Sequence, residues 1–170
     1  MNDSHEQALR VLDTLRLRIV GKAADMLWMH FGDYRTHTDD RGELREVGEW
    51  ALHLQCPWRF VRSGSIVLAS TDFYYSADSD EPYERDRGGE TLFDRRANQF
   101  NRVLETGEFR VSTVSCGACG AFQLEFGSAF HFAVFPAASD GSAYGEFWRL
   151  FRPDRDERHY VASSDSTEKT

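Results

Sequence analysis

Lysine is almost missing from this chain: eighteen of its twenty basic residues are Arg, and only Lys22 and Lys169 are Lys. Positive charge of any kind is outnumbered, and the formal net charge is −8. Nucleic-acid binding by phosphate neutralisation depends on clustered Lys and Arg, so that partner class is set aside. Cysteine is sparse and odd in number, with Cys56, Cys116 and Cys119 alone. That is not the even framework that staples small secreted domains, so reduced thiols are expected. No stretch approaches the roughly 18 apolar residues that a membrane helix needs. The first seven residues are polar and acidic and lack the basic start and apolar core of a secretory signal. The expectation is a cytoplasmic protein with no membrane partner, and the Arg bias fits a GC-rich bacterial genome. Also missing are a phosphate loop, a paired-glycine dinucleotide fingerprint, a His-Glu-x-x-His helix and a Gly-x-Ser-x-Gly elbow. An enzyme is therefore the less favoured class.

What is present is a core. Thirteen Phe, four Trp and a 41% hydrophobic content within 170 residues suffice for one domain, expected over residues 1–162 with a polar tail at 163–170. Ser4 and Gln7 have the spacing of a capping box, and Ala8, Val11, Leu12, Leu15 and Ile19 recur at helical period, predicting a helix over about 4–19. Residues 24–31 read as a strand, 34–48 as a polar loop or irregular hairpin, and 50–56 as a strand with one buried face. A hairpin is expected around Ser63-Gly64-Ser65, and a long loop over 70–89. A second helix is expected from about 91, with Gly107 as its C-terminal cap. Five strand-like runs follow, at 109–115, 121–126, 130–135, 147–151 and 160–162. The fold class is α+β, a curved and mainly antiparallel sheet of about six to eight strands with two packed helices.

Three constellations carry chemistry. The first is the segment 72–94, with eight acids against Arg85 and Arg87, a local net of −6, and with tyrosines interleaved. Asp78, Asp80, Glu81, Tyr83 and Glu84, flanked by Tyr74 and Tyr75, have the composition of an interface in which carboxylates steer a basic protein and aromatics anchor it. The second is a sheet-face pocket lined by Trp28, His30, His53, Gln55 and His131, since strand parity puts Trp28 with His30 and His53 with Gln55. The third is Cys116-Gly117-Ala118-Cys119, half of a zinc site that would draw its other ligands from Cys56, His53 or His131. An inert Gly-rich hairpin is the better reading of that pair, so no cofactor is expected, with zinc as the alternative. His37, Asp39 and Asp40 form a polar cluster that reads as solvated loop charge in preference to a cation or acid–base site.

Two strings, Gly48-Glu49-Trp50-Ala51-Leu52-His53-Leu54-Gln55-Cys56-Pro57-Trp58-Arg59 and Phe122-Gln123-Leu124-Glu125-Phe126, together with the runs 131–136 and 146–151, resemble a group of small actinobacterial α+β proteins. The second half also resembles immunity-type proteins paired with bacterial toxins. The resemblance covers about half the chain, brings no catalytic residue with it and implies a partner-binding role. The first expectation is thus a non-enzymatic binding module, of immunity or regulatory type, engaging a basic partner through the acidic segment. The alternative is a small ligand-binding protein or enzyme using the sheet-face pocket, or a zinc-stabilised domain. The abundance of Phe and Trp leaves room for a homodimer face.

Overall fold

A computed structural model of the chain describes residues 3–39, 41–78, 89–139 and 145–164. Helix α1 covers Asp3–Leu9 and runs into a 3-10 turn at Arg10–Leu12, so the apolar period predicts its first turns and then misleads. The Ser4 side chain of the expected cap lies outside the described residues. Beyond Leu12 the chain turns at Thr14, which takes a left-handed φ of 67°, and becomes strand β1, Leu17–Ala23. Tertiary pairing overrides the helical period here. The amides of Thr14 and Leu17 donate to Val111 and Phe109 carbonyls at 2.9 and 2.8 Å, and Val111 donates back to Leu15 at 2.9 Å.

Strands β2 (Met26–Thr38) and β3 (Leu44–Leu54) form one long hairpin. The polar loop expected over 34–48 is therefore mostly strand. Thr36 and Thr38 pair with Glu46 and Leu44, and polar side chains are no obstacle where both faces of a hairpin meet water. Its turn is held by Asp39, whose carboxylate accepts from the Arg41 and Glu43 amides at 3.0 Å each and from Arg45 Nε at 2.6 Å. Next come β4 (Trp58–Arg62), β5 (Ser65–Ala69), a 3-10 turn at Ser70–Tyr74 and α2 (Leu92–Thr106). The chain closes with β6 (Thr113–Cys116), β7 (Phe122–Glu125), β8 (Phe130–Val134), β9 (Glu146–Phe151) and β10 (Tyr160–Ser163).

The α+β class holds, but the single sheet of six to eight strands does not. Among the described residues ten strands form two antiparallel sheets of five, ordered β1-β2-β3-β9-β10 and β5-β4-β8-β7-β6. The chain changes sheets at Gln55-Cys56-Pro57. There the Gln55 amide still bonds Phe147 in the first sheet at 2.9 Å, while the Pro57 carbonyl accepts from Phe135 in the second at 3.0 Å. Proline has no N–H to continue the first ladder. Hairpin-length connections in sequence say nothing of such a switch.

The inner faces meet in one apolar cluster. Phe122 of β7 and Trp148 of β9 touch across the sheets, with ring centroids 5.6 Å apart. Trp148 also donates its indole N–H to the Gly120 carbonyl at 2.8 Å, which satisfies the one polar atom of a buried ring. Helix α2 covers the open edge of β1: the Asn101 amide both accepts from and donates to the Val20 backbone at 2.9 Å, as a neighbouring strand would. The α2 N-terminus is a capping box, with the Thr91 hydroxyl accepting from the Asp94 amide and the Asp94 carboxylate accepting from Thr91 N–H at 2.9 Å. Thr91→Ala is expected to cost about 1 kcal/mol, read as a shift in the urea midpoint. Gly107 ends the helix as expected, for an unexpected reason. Its φ is −102°, and what requires glycine is the Phe109 ring, which a Cβ would meet at 2.6 Å.

Candidate functional site

Alternation along the central strands of the first sheet sends Leu27, Met29, Leu52, Leu54 and Leu150 inward, all buried. The outer face then receives Trp28 and His30 from β2, Ala51 and His53 from β3, and Arg149 and Phe151 from β9. Register brings them together: Trp28 lies opposite His53, His53 opposite Arg149, and Ala51 between His30 and Phe151. The outer face of a two-layer antiparallel sheet is normally polar and wet. This one carries a strip of rings. Trp28 and His30 have centroids 5.2 Å apart, His53 meets Phe151 edge-on at 4.8 Å, and Phe151 stacks on His159 at 4.6 Å with planes 26° apart. Ala51 beneath them is fully buried. Trp28 packs against Gly21 of β1, where a Cβ would come within 2.2 Å of the indole ring.

The polar atoms of this strip are fixed. Gly48 donates its amide to His30 Nδ1 at 3.2 Å. Arg149 Nη1 contacts His159 Nδ1 at 3.2 Å, and its Nε and Nη2 grip the Glu146 carboxylate at 3.0 and 2.7 Å. Burial pushes the His53 imidazole down to about 4, helped by the positive charge that His30, Arg149 and His159 would present and opposed by Glu146. Burial alone holds His30 below its ordinary value. Both rings are neutral at physiological pH.

Of the five residues expected to line a sheet-face pocket, Trp28, His30 and His53 converge as parity predicts. Gln55 is exposed at the sheet-switching corner, past the end of β3. His131 sits on β8 in the other sheet, opposite Val61 and Glu125, and takes no part. Arg149, Phe151, Glu146 and His159 complete the cluster and were not anticipated. Alternation in 146–151 pairs Arg149 with Phe151 on one face, but no sequence signal places β9 beside β3.

The acidic segment is only partly described: Asp80, Glu81, Tyr83 and Glu84 lie outside the described residues. Tyr74 and Tyr75 are 55% and 46% exposed. Their turn is braced by Asp72, which is buried, accepts from the Ala69 amide at 2.9 Å and pairs with Arg96 at 3.1 Å. A bridge between Ser76 and Thr91 closes the other side. The described acids are matched from within the fold: Asp78 pairs with Arg95, Glu90 with Arg95 at 3.6 Å, and Asp94 with Lys22 at 3.0 Å. The local charge of −6 is thus an artefact of ending the count at Asp94, since Arg95 and Arg96 follow immediately and bring it to −4.

The three thiols occupy different settings. Cys116 ends β6, Cys119 is exposed in a 3-10 turn with a left-handed φ of 56°, and Cys56 is in the core. Burial pushes the Cys56 thiol up to about 12 and, with Glu6 nearby, raises that of Cys116. The ligands considered for zinc lie in three different places: His53 outside the first sheet, Cys56 inside, His131 outside the second. Among the described residues no three His, Cys, Asp or Glu side chains gather into a group that could hold a metal ion. Asp39 of the polar cluster is occupied by its turn, and the Glu43 amide, foremost among its donors, lowers its carboxyl. Asp40 lies outside the described residues.

Comparison with protein families, curated proteins and solved structures gave no match.

Proposed function

We propose that this is a ligand-binding protein whose seat is the outer face of the first sheet. The observation that carries the reading is the gathering of Trp28, His30, His53, Phe151 and His159 on that face. Small-molecule sites combine aromatic surface with a few polar atoms held in place by their surroundings. Both are present: ring faces lie along the strip, and His30 and His159 are each hydrogen-bonded at one ring nitrogen. Among the described residues the strip holds no nucleophile–base pair of a covalent catalyst, and the role proposed is binding.

The test is native mass spectrometry of the protein recovered from its own cells. A low-mass adduct is expected on the wild type and is expected to disappear in a Trp28→Ala/His53→Ala variant with unchanged circular dichroism. Identical, unliganded masses for both proteins would defeat the proposal.

A second reading is favoured by a separate observation, the two half-exposed tyrosines on a braced turn. In it the protein is an immunity-type or regulatory module, with Tyr74 and Tyr75 anchoring a basic protein while Asp80, Glu81 and Glu84 speed its approach. It ranks second because Arg95, Arg96 and Lys22 already neutralise the described acids around the turn. Affinity purification decides it. A basic protein captured at low salt, released at high salt and lost in Tyr74→Ala/Tyr75→Ala supports it, and capture that is indifferent to both salt and mutation counts against it.

A further inference from the structure

Hydrogen-bond bookkeeping on the outer face of the first sheet specifies more than a site. A backbone amide can only donate, so the Gly48 N–H at 3.2 Å makes His30 Nδ1 an acceptor and leaves its proton on Nε2. A guanidinium can only donate, so Arg149 does the same to His159 at 3.2 Å. Trp28 offers an indole N–H that makes no hydrogen bond among the described residues, and the His53 ring makes none either. The strip therefore presents three N–H donors, at Trp28, His30 and His159, and at most one acceptor, at His53.

Charge points the same way. The strip's guanidinium, Arg149, is taken up by the bidentate contact with Glu146 at 3.0 and 2.7 Å. Glu49, the neighbouring carboxylate on β3, lies between Arg35 at 3.8 Å and Arg152 at 3.9 Å. Among the described residues the charged groups of this face already pair with one another, Arg152 also meeting Asp154 at 3.7 Å, so a charged ligand would be desolvated there against groups that have their partners.

Building on the binding role proposed above, we infer that the ligand is an uncharged planar molecule with hydrogen-bond acceptors on its rim, in the class of heteroaromatic amides and cyclic carbonyl compounds. Its ring would lie on the strip beside Trp28, and its carbonyl oxygen or ring nitrogen would accept from the fixed Nε2–H groups.

Two probes that differ in charge and hardly in shape, nicotinamide and nicotinate, test this at neutral pH. Each is titrated into the full chain while the ring resonances of His30, His53 and His159 and the Trp28 indole N–H are followed by NMR. Nicotinamide is expected to shift them saturably with a Kd of about 1 mM, as befits so small a probe. Nicotinate is expected to bind at least about tenfold more weakly, and Trp28→Ala to abolish the nicotinamide shifts while leaving the fold intact. Nicotinate binding as tightly as nicotinamide would overturn the ligand class and leave the site standing. Neither probe moving these resonances at about 20 mM, well above that expected Kd, would overturn the class and the site together. Nicotinamide shifts that persist in Trp28→Ala would place binding elsewhere and refute the inference.

Discussion

Trp58→Ala is expected to remove about 3–5 kcal/mol of folding stability, the largest effect of any single substitution considered for this protein. The ring is 1% exposed, and its centroid lies 6.1, 5.8, 6.1 and 6.0 Å from those of Phe60, Phe73, Phe93 and Phe132. Those partners belong to β4 itself, the 3-10 turn, α2 and β8, so one side chain ties its own strand to three further elements. Alanine would leave a cavity walled by rings that cannot collapse into it without dragging a strand or the helix. The midpoint of urea unfolding measures the cost, and Trp58→Phe, which keeps an aromatic body, is expected to recover more than half. Because Phe73 directly precedes Tyr74 and Tyr75, the cavity should also loosen the turn that carries them. The histidine strip lies on the far side of the other sheet, so its NMR resonances are expected to stay in place. A cost under about 1 kcal/mol would show that the aromatic cluster is not the centre of the core.

The second large effect is an acid-sensitive stability that belongs to His53. Unfolded, its imidazole titrates near the ordinary 6.5; folded, burial holds it at about 4. Between those values the unfolded chain binds a proton that the folded chain does not, so stability falls as pH drops from about 6.5 towards 4 and is flat above that window. The ideal slope for one proton is about 1.4 kcal/mol per pH unit. Partial exposure of the ring reduces the total to about 1–2 kcal/mol across the window. The groups facing the ring are His30 on β2, Arg149 and Glu146 on β9, and His159 ahead of β10. His30 is depressed in the same direction, so His53→Phe is expected to lessen the acid loss without abolishing it. Denaturant melts of wild type and variant at several pH values give the comparison. Equal slopes would remove His53 as the source.

These two residues also show how far sequence pattern reaches. Trp58 opens β4 directly after Pro57, one residue ahead of the run 59–61 that reads as a strand, and it shares the inward parity of Phe60. The same alternation puts Trp28 with His30 and turns His53 away from Leu52 and Leu54. Side-chain parity is a local property, and it reads correctly from local sequence. Strand order is not local. β9 joins the first sheet beside β3 only after the second sheet has been laid down between them, so Arg149, Phe151 and His159 reach the site without any announcing pattern. Ile19 shows the opposite failure. Its helical spacing from Ala8 is real, but the chain spends residues 14–17 bonding to 109–111 and Ile19 itself pairing with His30 of β2, and long-range backbone bonds outrank a periodicity that only one face could use. The acidic segment misleads in a third way, because a charge count along the chain cannot see that the next two residues of α2, Arg95 and Arg96, fold back onto it.

The proposed site depends most directly on the state of three imidazoles, and one experiment reads it: a pH titration of the histidine ring nitrogens and carbons by NMR. The expected result at neutral pH is the Nε2–H tautomer for His30 and His159, with His53 neutral and not charging until the pH approaches about 4. Rings in rapid tautomer exchange, with His53 titrating near 6.5 as in an unstructured peptide, would contradict it and take away the fixed donors on which the proposed ligand site is built.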